Sequence, residues 1–376
     1  MFLTYNFRVI VNNIKMSKKL IVGIVLVLIV LALAVYSQPK HDSDIVIGAI
    51  IPQTGFGAYW GDPVLKGIRL AEADLKMKYP NENIKIIVDD SQSKAPAAVT
   101  VAQKMLNIDG ADALYTEFGG ISSAVSPVAE SAGKLFVYST FNQKIAEDNK
   151  TSLKTFISFE TACGEFAKHL NDSNKKILII SSIGDSAPYC ARGLEKIIKK
   201  ENVKIVDGFA GTDFRTTLLQ NKEFAPDYIV PIMYEEGSFA LIKQKNELGL
   251  KSSFFCYKQD CATDKLIHEL PKAYTDGVYY FEIPLRAEFV AKIKAANPDI
   301  PADSLQGAAN SYQSMMIAAD ALVNCGEGDS KCNVEYMNNR KDIAYSAYEN
   351  AYFDGRVLAS EISIGVVKNG VPTKLK

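Results

Sequence analysis

From Ile45 onward the chain alternates short, almost wholly apolar segments with longer amphipathic ones. Residues 45–51, 84–88, 111–116 and 135–138 read as strands. Helices are expected between them: one capped by Asp62 with Pro63 in its first position, then 97–106 and 122–132. Strands that lack a polar face must be covered on both sides, and a helix between successive strands returns the chain so that the next strand runs in the same direction. The alternation therefore restricts the fold to a doubly wound parallel sheet. After the polar stretch 141–152 the rhythm starts again, with strands expected at 155–159, 176–181, 203–207, 227–232, 253–257 and 277–281 and helices at 162–170, 187–199, 236–248 and 264–270. Late helices, among them 305–323, and a short β ending at 361–367 complete the chain.

The expected architecture is α/β, two doubly wound parallel-sheet lobes with a ligand cleft between them, preceded by an N-terminal apolar helix. The first lobe is expected to take residues 44–141 and 284–339, and the second 142–283 and 340–376. Strand ends of both lobes would converge on the cleft. Hinges are expected at 141–152 and 282–284.

The first strand leads into three glycines, Gly55, Gly57 and Gly61, and then into a helix. A dinucleotide-binding turn has the spacing G-x-G-x-x-G because each glycine admits a close backbone approach. Here the third glycine comes one residue late, and the slot before it holds Trp60, the only tryptophan. A phosphate cradle is excluded by that bulk. The net charge of -1, with both signs mixed, gives no basic stripe for nucleic acid.

Residues 20–35 form an unbroken apolar run, preceded by Lys15, Lys18 and Lys19 and followed by a polar linker to Ser43. Lysines on one side of such a run fit a signal peptide or signal anchor, with the remainder of the chain outside the cytoplasm and the membrane as a partner of this segment. No cysteine lies near it to carry a lipid. All six cysteines, Cys163, Cys190, Cys256, Cys261, Cys325 and Cys332, follow it, and none forms a zinc-spaced cluster. Disulfides are the expected use outside the cytoplasm. Cys256/Cys261 and Cys325/Cys332 are close enough to close small loops, which leaves Cys163/Cys190; sequence alone leaves the connectivity open. No metal or cofactor is expected.

The segments IGAIIPQTGFGAYWGDPVLKGIRLAEADL, EFGGISSAVSPVAESAGKLFVYSTFN, IGDSAPYCARGLEKIIK and PDYIVPIMYEEGSFALIKQKNELGLKSSFF occur in an order that resembles the type I periplasmic-binding fold, and within it the branched-chain amino-acid (leucine/isoleucine/valine) binding proteins of ABC transporters. The resemblance spans nearly all of 45–376. It implies a solute-binding protein that closes two lobes around a small, amino-acid-like, carboxylate-bearing ligand and delivers it to a permease and its ATPase. It also implies roles for particular residues: Trp60 in the side-chain pocket, Ser122 or Ser123 at a helix start and Ser139 with Thr140 at a strand end around the ligand head, and Tyr189 and Tyr234 from the second lobe. Plain N-capping by the serines and ordinary packing by the aromatics are the competing readings. Where relatives carry an acid against the ligand's ammonium, this chain reads Cys256-Tyr257-Lys258-Gln259-Asp260-Cys261, so Lys258 or Gln259 takes the acid's place with Asp260 beside it. Lys258 would repel an ammonium. Glu160 and Glu235 are alternative acids near the cleft, with a solvated surface role as the competing reading.

An enzyme is not expected. There is no G-x-S-x-G elbow, H-E-x-x-H helix or Walker loop, and the chain has three histidines. The same fold also serves as the ectodomain of sensors, which is the second functional reading.

Overall fold

A computed structural model describes residues 44–182, 186–206, 208, 211–326, 328–338 and 340–375. The apolar run 20–35 lies outside the described residues. Among those described, no helix is long and apolar enough to cross a membrane.

The first sheet contains β1 (Ile45–Ile51), β2 (Ile84–Asp90), β3 (Ala113–Glu117), β4 (Leu135–Ser139) and β5 (Ser152–Lys154). The second contains β6 (Ile177–Ser181), β7 (Val203–Val206), β8 (Tyr228–Ile232), β9 (Ser253–Tyr257) and β10 (Tyr279–Glu282). Late in the chain β11 (Tyr352–Asp354) and β12 (Val357–Ala359) return to the first sheet, and β13 (Ser363–Lys368) and β14 (Val371–Lys374) to the second. Among the described residues both sheets have seven strands, ordered β11-β12-β5-β4-β3-β1-β2 and β14-β13-β10-β9-β8-β6-β7. The inner pairings are parallel, while β11/β12, β10/β13 and β13/β14 are antiparallel. Strands β3 and β4 are buried along their whole length, as strands covered by helices on both faces must be.

Sheet membership differs from the expected lobe borders in two places. Residues 152–154 pair with β4 and not with the second sheet, so the polar stretch 141–152 is a loop of the first lobe, folded around the short helix Lys144–Asp148. The strand expected at 155–159 is absent; that segment leaves the first lobe, and Phe159 opens the helix Phe159–Leu170, capped by the Ser158 hydroxyl on the Glu160 amide. Residues 352–359 likewise belong to the first sheet. The chain thus crosses between sheets at 155–158, 283–286 and 360–362.

The helix Leu305–Cys325 is buried on nearly every side against the first sheet and the helix Ala58–Lys78. It also grips the first crossing: Gln313 Nε2 donates to the Thr155 carbonyl at 2.7 Å, and the Ser314 and Thr155 hydroxyls lie 2.6 Å apart. The structure joins Cys163 to Cys190, Cys256 to Cys261 and Cys325 to Cys332. Asn149, within an N-x-T triplet, is buried, and its amide donates to the Ser126 carbonyl and hydroxyl.

Candidate ligand-binding cleft

In each sheet the strand order reverses direction once, between β1 and β3 in the first and between β6 and β8 in the second. Loops leaving strand C-termini at such a point diverge and open a crevice. A cavity of about 70 Å³ occupies the space between the lobes, lined by residues that follow β1, β3 and β4 on one side and β8 and β9 on the other.

The loop after β1 is pinned from below, since the Asp90 carboxylate accepts from the Gln53 and Thr54 amides at 2.9 and 3.1 Å. The following helix begins at Ala58, with Gly57 as cap, so Asp62 and Pro63 lie inside it and not at its start. A Cβ on Gly61 would lie 2.2 Å from the Pro52 carbonyl oxygen. That glycine lets the helix approach the strand end and so sets Tyr59 and Trp60 against the cavity; it has nothing to do with phosphate.

After β3 the backbone turns sharply. Phe118 adopts φ 65°, a left-handed conformation rare for a bulky residue, and the helix Gly119–Ser131 starts immediately after it. Glu117, Phe118 and Gly119 all line the cavity. Glu117 is 2% exposed. Its carboxyl accepts from Trp60 Nε1 at 2.9 Å and from the Tyr115 hydroxyl. Burial pushes its pKa up to about 8 despite these two bonds, because neither donor is charged.

This early helix start displaces the expected serine anchor. Ser122 is buried and its hydroxyl pairs with that of Thr116 at 2.7 Å. Ser123 Oγ accepts from Asn142 Nδ2 at 3.0 Å. Neither lines the cavity; the first backbone N–H groups of the helix, at Gly119, take that position. Ser139 and Thr140 do line it. The Ser139 hydroxyl is buried without a partner among the described residues, and the Thr140 oxygen accepts from the Asn142 amide, which leaves its proton free to donate.

From the second lobe come Tyr234, Tyr257, Gln259 and Asp260. Asp260 sits in the helical turn Lys258–Cys261 directly after β9, closed by the Cys256–Cys261 disulfide. Its carboxyl makes no hydrogen bond or ion pair among the described residues, and burial raises its pKa well above the usual carboxylate range, with Glu235 adding to the rise. Tyr257 Oη and Gln259 Oε1 are likewise unpartnered.

Lys258 is turned away. Its ammonium donates to Glu282 at 2.6 Å and does not line the cavity, so it is not placed to repel an ammonium there. A helical turn separates consecutive side chains by about a quarter-circle, and this turn aims Asp260 inward and Lys258 toward β10. Tyr189 is also outside the cavity. It is buried at the lobe junction under the Arg192 guanidinium, 4.2 Å from the ring centroid, and Arg192 reaches Glu147 of the first lobe at 3.8 Å. Of the alternative acids, Glu160 pairs with Lys196 at 2.9 Å. Glu235 accepts from Thr263 at 2.8 Å and borders the wider mouth of the cleft.

Aromatic rings close the rest of the wall. Across the mouth, Phe118 of the first lobe meets Tyr234 of the second at 5.2 Å between centroids, and the exposed Phe56 stacks over Phe118 at 5.7 Å. At the base, Phe141 meets Tyr257 at 5.4 Å. Sequence reasoning missed Glu117, and it treated Asp260 as a bystander. Both stand at the C-terminal end of an apolar strand, the one positional signal that marks them.

A family model described as periplasmic binding protein matches residues 44–359. Among solved structures, a leucine-binding protein from Thermotoga maritima is similar over 88% of this chain and 98% of its own, at 20% identity and a TM-score of 0.71. An ABC-transporter solute-binding protein from R. palustris in complex with 4-hydroxybenzoate is similar over 89% and 96%, at 17% identity and a TM-score of 0.72. A branched-chain amino acid transporter substrate-binding protein from Streptococcus pneumoniae in complex with isoleucine is similar over 89% and 100%, at 16% identity and a TM-score of 0.69. No curated protein matches the chain by sequence. These likenesses establish the fold, and the family match covers most of the chain. With its two-sheet architecture and interlobe cavity, the chain belongs to the periplasmic binding protein family, a family of binding proteins and not of enzymes.

Proposed function

We propose that this chain is the extracytoplasmic solute-binding protein of an ABC transporter, held to the membrane by its N-terminal segment, and that it captures a small amino-acid-like metabolite by closing two lobes and hands it to a permease coupled to an ATPase. One observation carries the reading. Two chemically opposite ends face each other in the cavity: unpaired donors at Ser139, Thr140 and the Gly119 helix start in the first lobe, and an unpaired carboxyl, Asp260, in the second.

A ligand with a carboxylate and an amine satisfies both. The carboxylate takes hydroxyl and helix-start donors, where the positive end of the helix favours an anion. The amine takes Asp260, and Trp60 and Tyr234 enclose the apolar body. Solved relatives that hold isoleucine and 4-hydroxybenzoate agree with a small carboxylate as ligand class. Contacts supplied by both lobes are complete only when the lobes meet, so binding favours the closed state.

The test combines titration calorimetry with small-angle scattering on the purified chain, using a panel of amino acids and small carboxylates. Ser139→Ala should weaken a binding member by about 1–3 kcal/mol, the scale of a hydrogen bond to a charged group, and saturation should compact the protein. An unchanged scattering profile together with an unaffected Ser139→Ala variant would refute the reading.

A further inference from the structure

The cavity holds more carboxyl groups than the single ammonium of an ordinary amino acid can pair. Asp260 enters from the second lobe and Glu117 from the first, and no lysine, arginine or histidine lines the space among the described residues. Cations close to the lining residues in the chain are occupied elsewhere. Lys258 is paired with Glu282. Lys154, behind the Phe156 wall, gives its protons to the carbonyls of Phe156 and Ile157. The wider mouth is acidic too, with Glu235, Glu236 and Asp303 against Lys265 alone among the described residues.

Both partners of Glu117, Trp60 and Tyr115, are neutral donors. Asp260 has none. Beside them, Tyr257 Oη and Ser139 Oγ are more than nine-tenths buried and unpartnered among the described residues, so the space is built to be filled by a polar group. Closing the lobes brings two carboxyl groups into one water-poor site, where each requires a proton or a cation. A zwitterion such as leucine supplies one ammonium and adds a third carboxylate.

We propose that the ligand is a small diamino compound of net positive charge, with one nitrogen at Asp260 and the other at Glu117, so that its two charges tie the lobes together. Tyr59, Trp60, Phe118 and Tyr234 present ring faces or edges around the same space, and such walls favour a cation over an anion. This rests on the reading of the cavity as the solute site and narrows the charge class of what enters it.

Titration calorimetry on the purified full chain near neutral pH, with 2,4-diaminobutyrate, 1,4-diaminobutane, leucine and 4-hydroxybenzoate as probes, decides the matter. At least one diamino probe should bind about tenfold or more tighter than leucine, the effect of one further charge-assisted hydrogen bond. Glu117→Gln should bring that ratio to within about threefold. Should that variant fail to fold, Asp260→Asn, which breaks no internal hydrogen bond, should lower affinity for the diamino probe by about tenfold or more. Leucine or 4-hydroxybenzoate binding as tightly as the diamino probes, or no diamino probe binding at all, would overturn the inference. Compaction with leucine or 4-hydroxybenzoate in that case would leave the solute-binding reading standing, whereas no compaction with any bound probe, together with an unaffected Ser139→Ala variant, would remove both.

Discussion

Replacing Glu117 by glutamine measures what burying this carboxyl costs the fold. In the folded chain burial lifts this carboxyl from its ordinary 4.5 to about 8, so the folded state keeps the proton over a range in which the unfolded chain has released it. Between those two values the folded state binds more protons than the unfolded one, and stability must fall as the pH rises, by up to about 1.4 kcal/mol per unit. From about pH 5 to pH 8 the loss from this one group is on the order of 3–4 kcal/mol. Glutamine does not titrate, yet it keeps the local bonds: its oxygen accepts from Trp60 Nε1 and its amide donates to the Tyr115 hydroxyl, which then acts as acceptor. Urea denaturation of the ligand-free chain and of Glu117→Gln at several pH values reads the difference directly, since every other titrating group is common to both. Wild type should lose ground to the variant steadily as the pH rises. A stability difference independent of pH would refute the buried, protonated state of Glu117 in the ligand-free chain.

Three further outcomes are expected. Lys154 is fully buried with no acidic partner among the described residues, and burial depresses its pKa well below 10.5; the unfolded chain then binds more protons, so stability should rise with pH toward that value, a rise that Lys154→Met should abolish in the same denaturation assay. Gly61→Ala should destabilise the protein by about 1–3 kcal/mol, because the added methyl meets the Pro52 carbonyl at 2.2 Å, and should weaken ligand binding by displacing Trp60, both read by denaturation and calorimetry. A non-reducing peptide map should link Cys163 with Cys190, and removing that pair should cost about 2–4 kcal/mol of stability on chemical denaturation.

The alternation of apolar strands and amphipathic helices determined the two wound sheets before any coordinate was needed. A parallel strand buried on both faces must be apolar at nearly every position, and β1 and β9 were expected at the bounds they occupy. The region around β5 escaped because three residues carry no period: 152–154 is a strand only through pairing with β4, and the neighbouring 155–159 was expected to be one. The cavity was legible as a place, at the ends of strands, and Trp60, Ser139, Thr140 and Tyr234 do line it. Which way a side chain points within a turn was not legible. Ser122 and Lys258 have the right chemistry at the right place in the chain, but the helix start at Gly119 carries the first into the core and the turn Lys258–Cys261 carries the second to Glu282. Only tertiary structure decided that Glu117 and Asp260, 143 residues apart in a chain of one net negative charge, share a space with no cation among the described residues, because the meeting of two lobes is a property of neither lobe's local sequence.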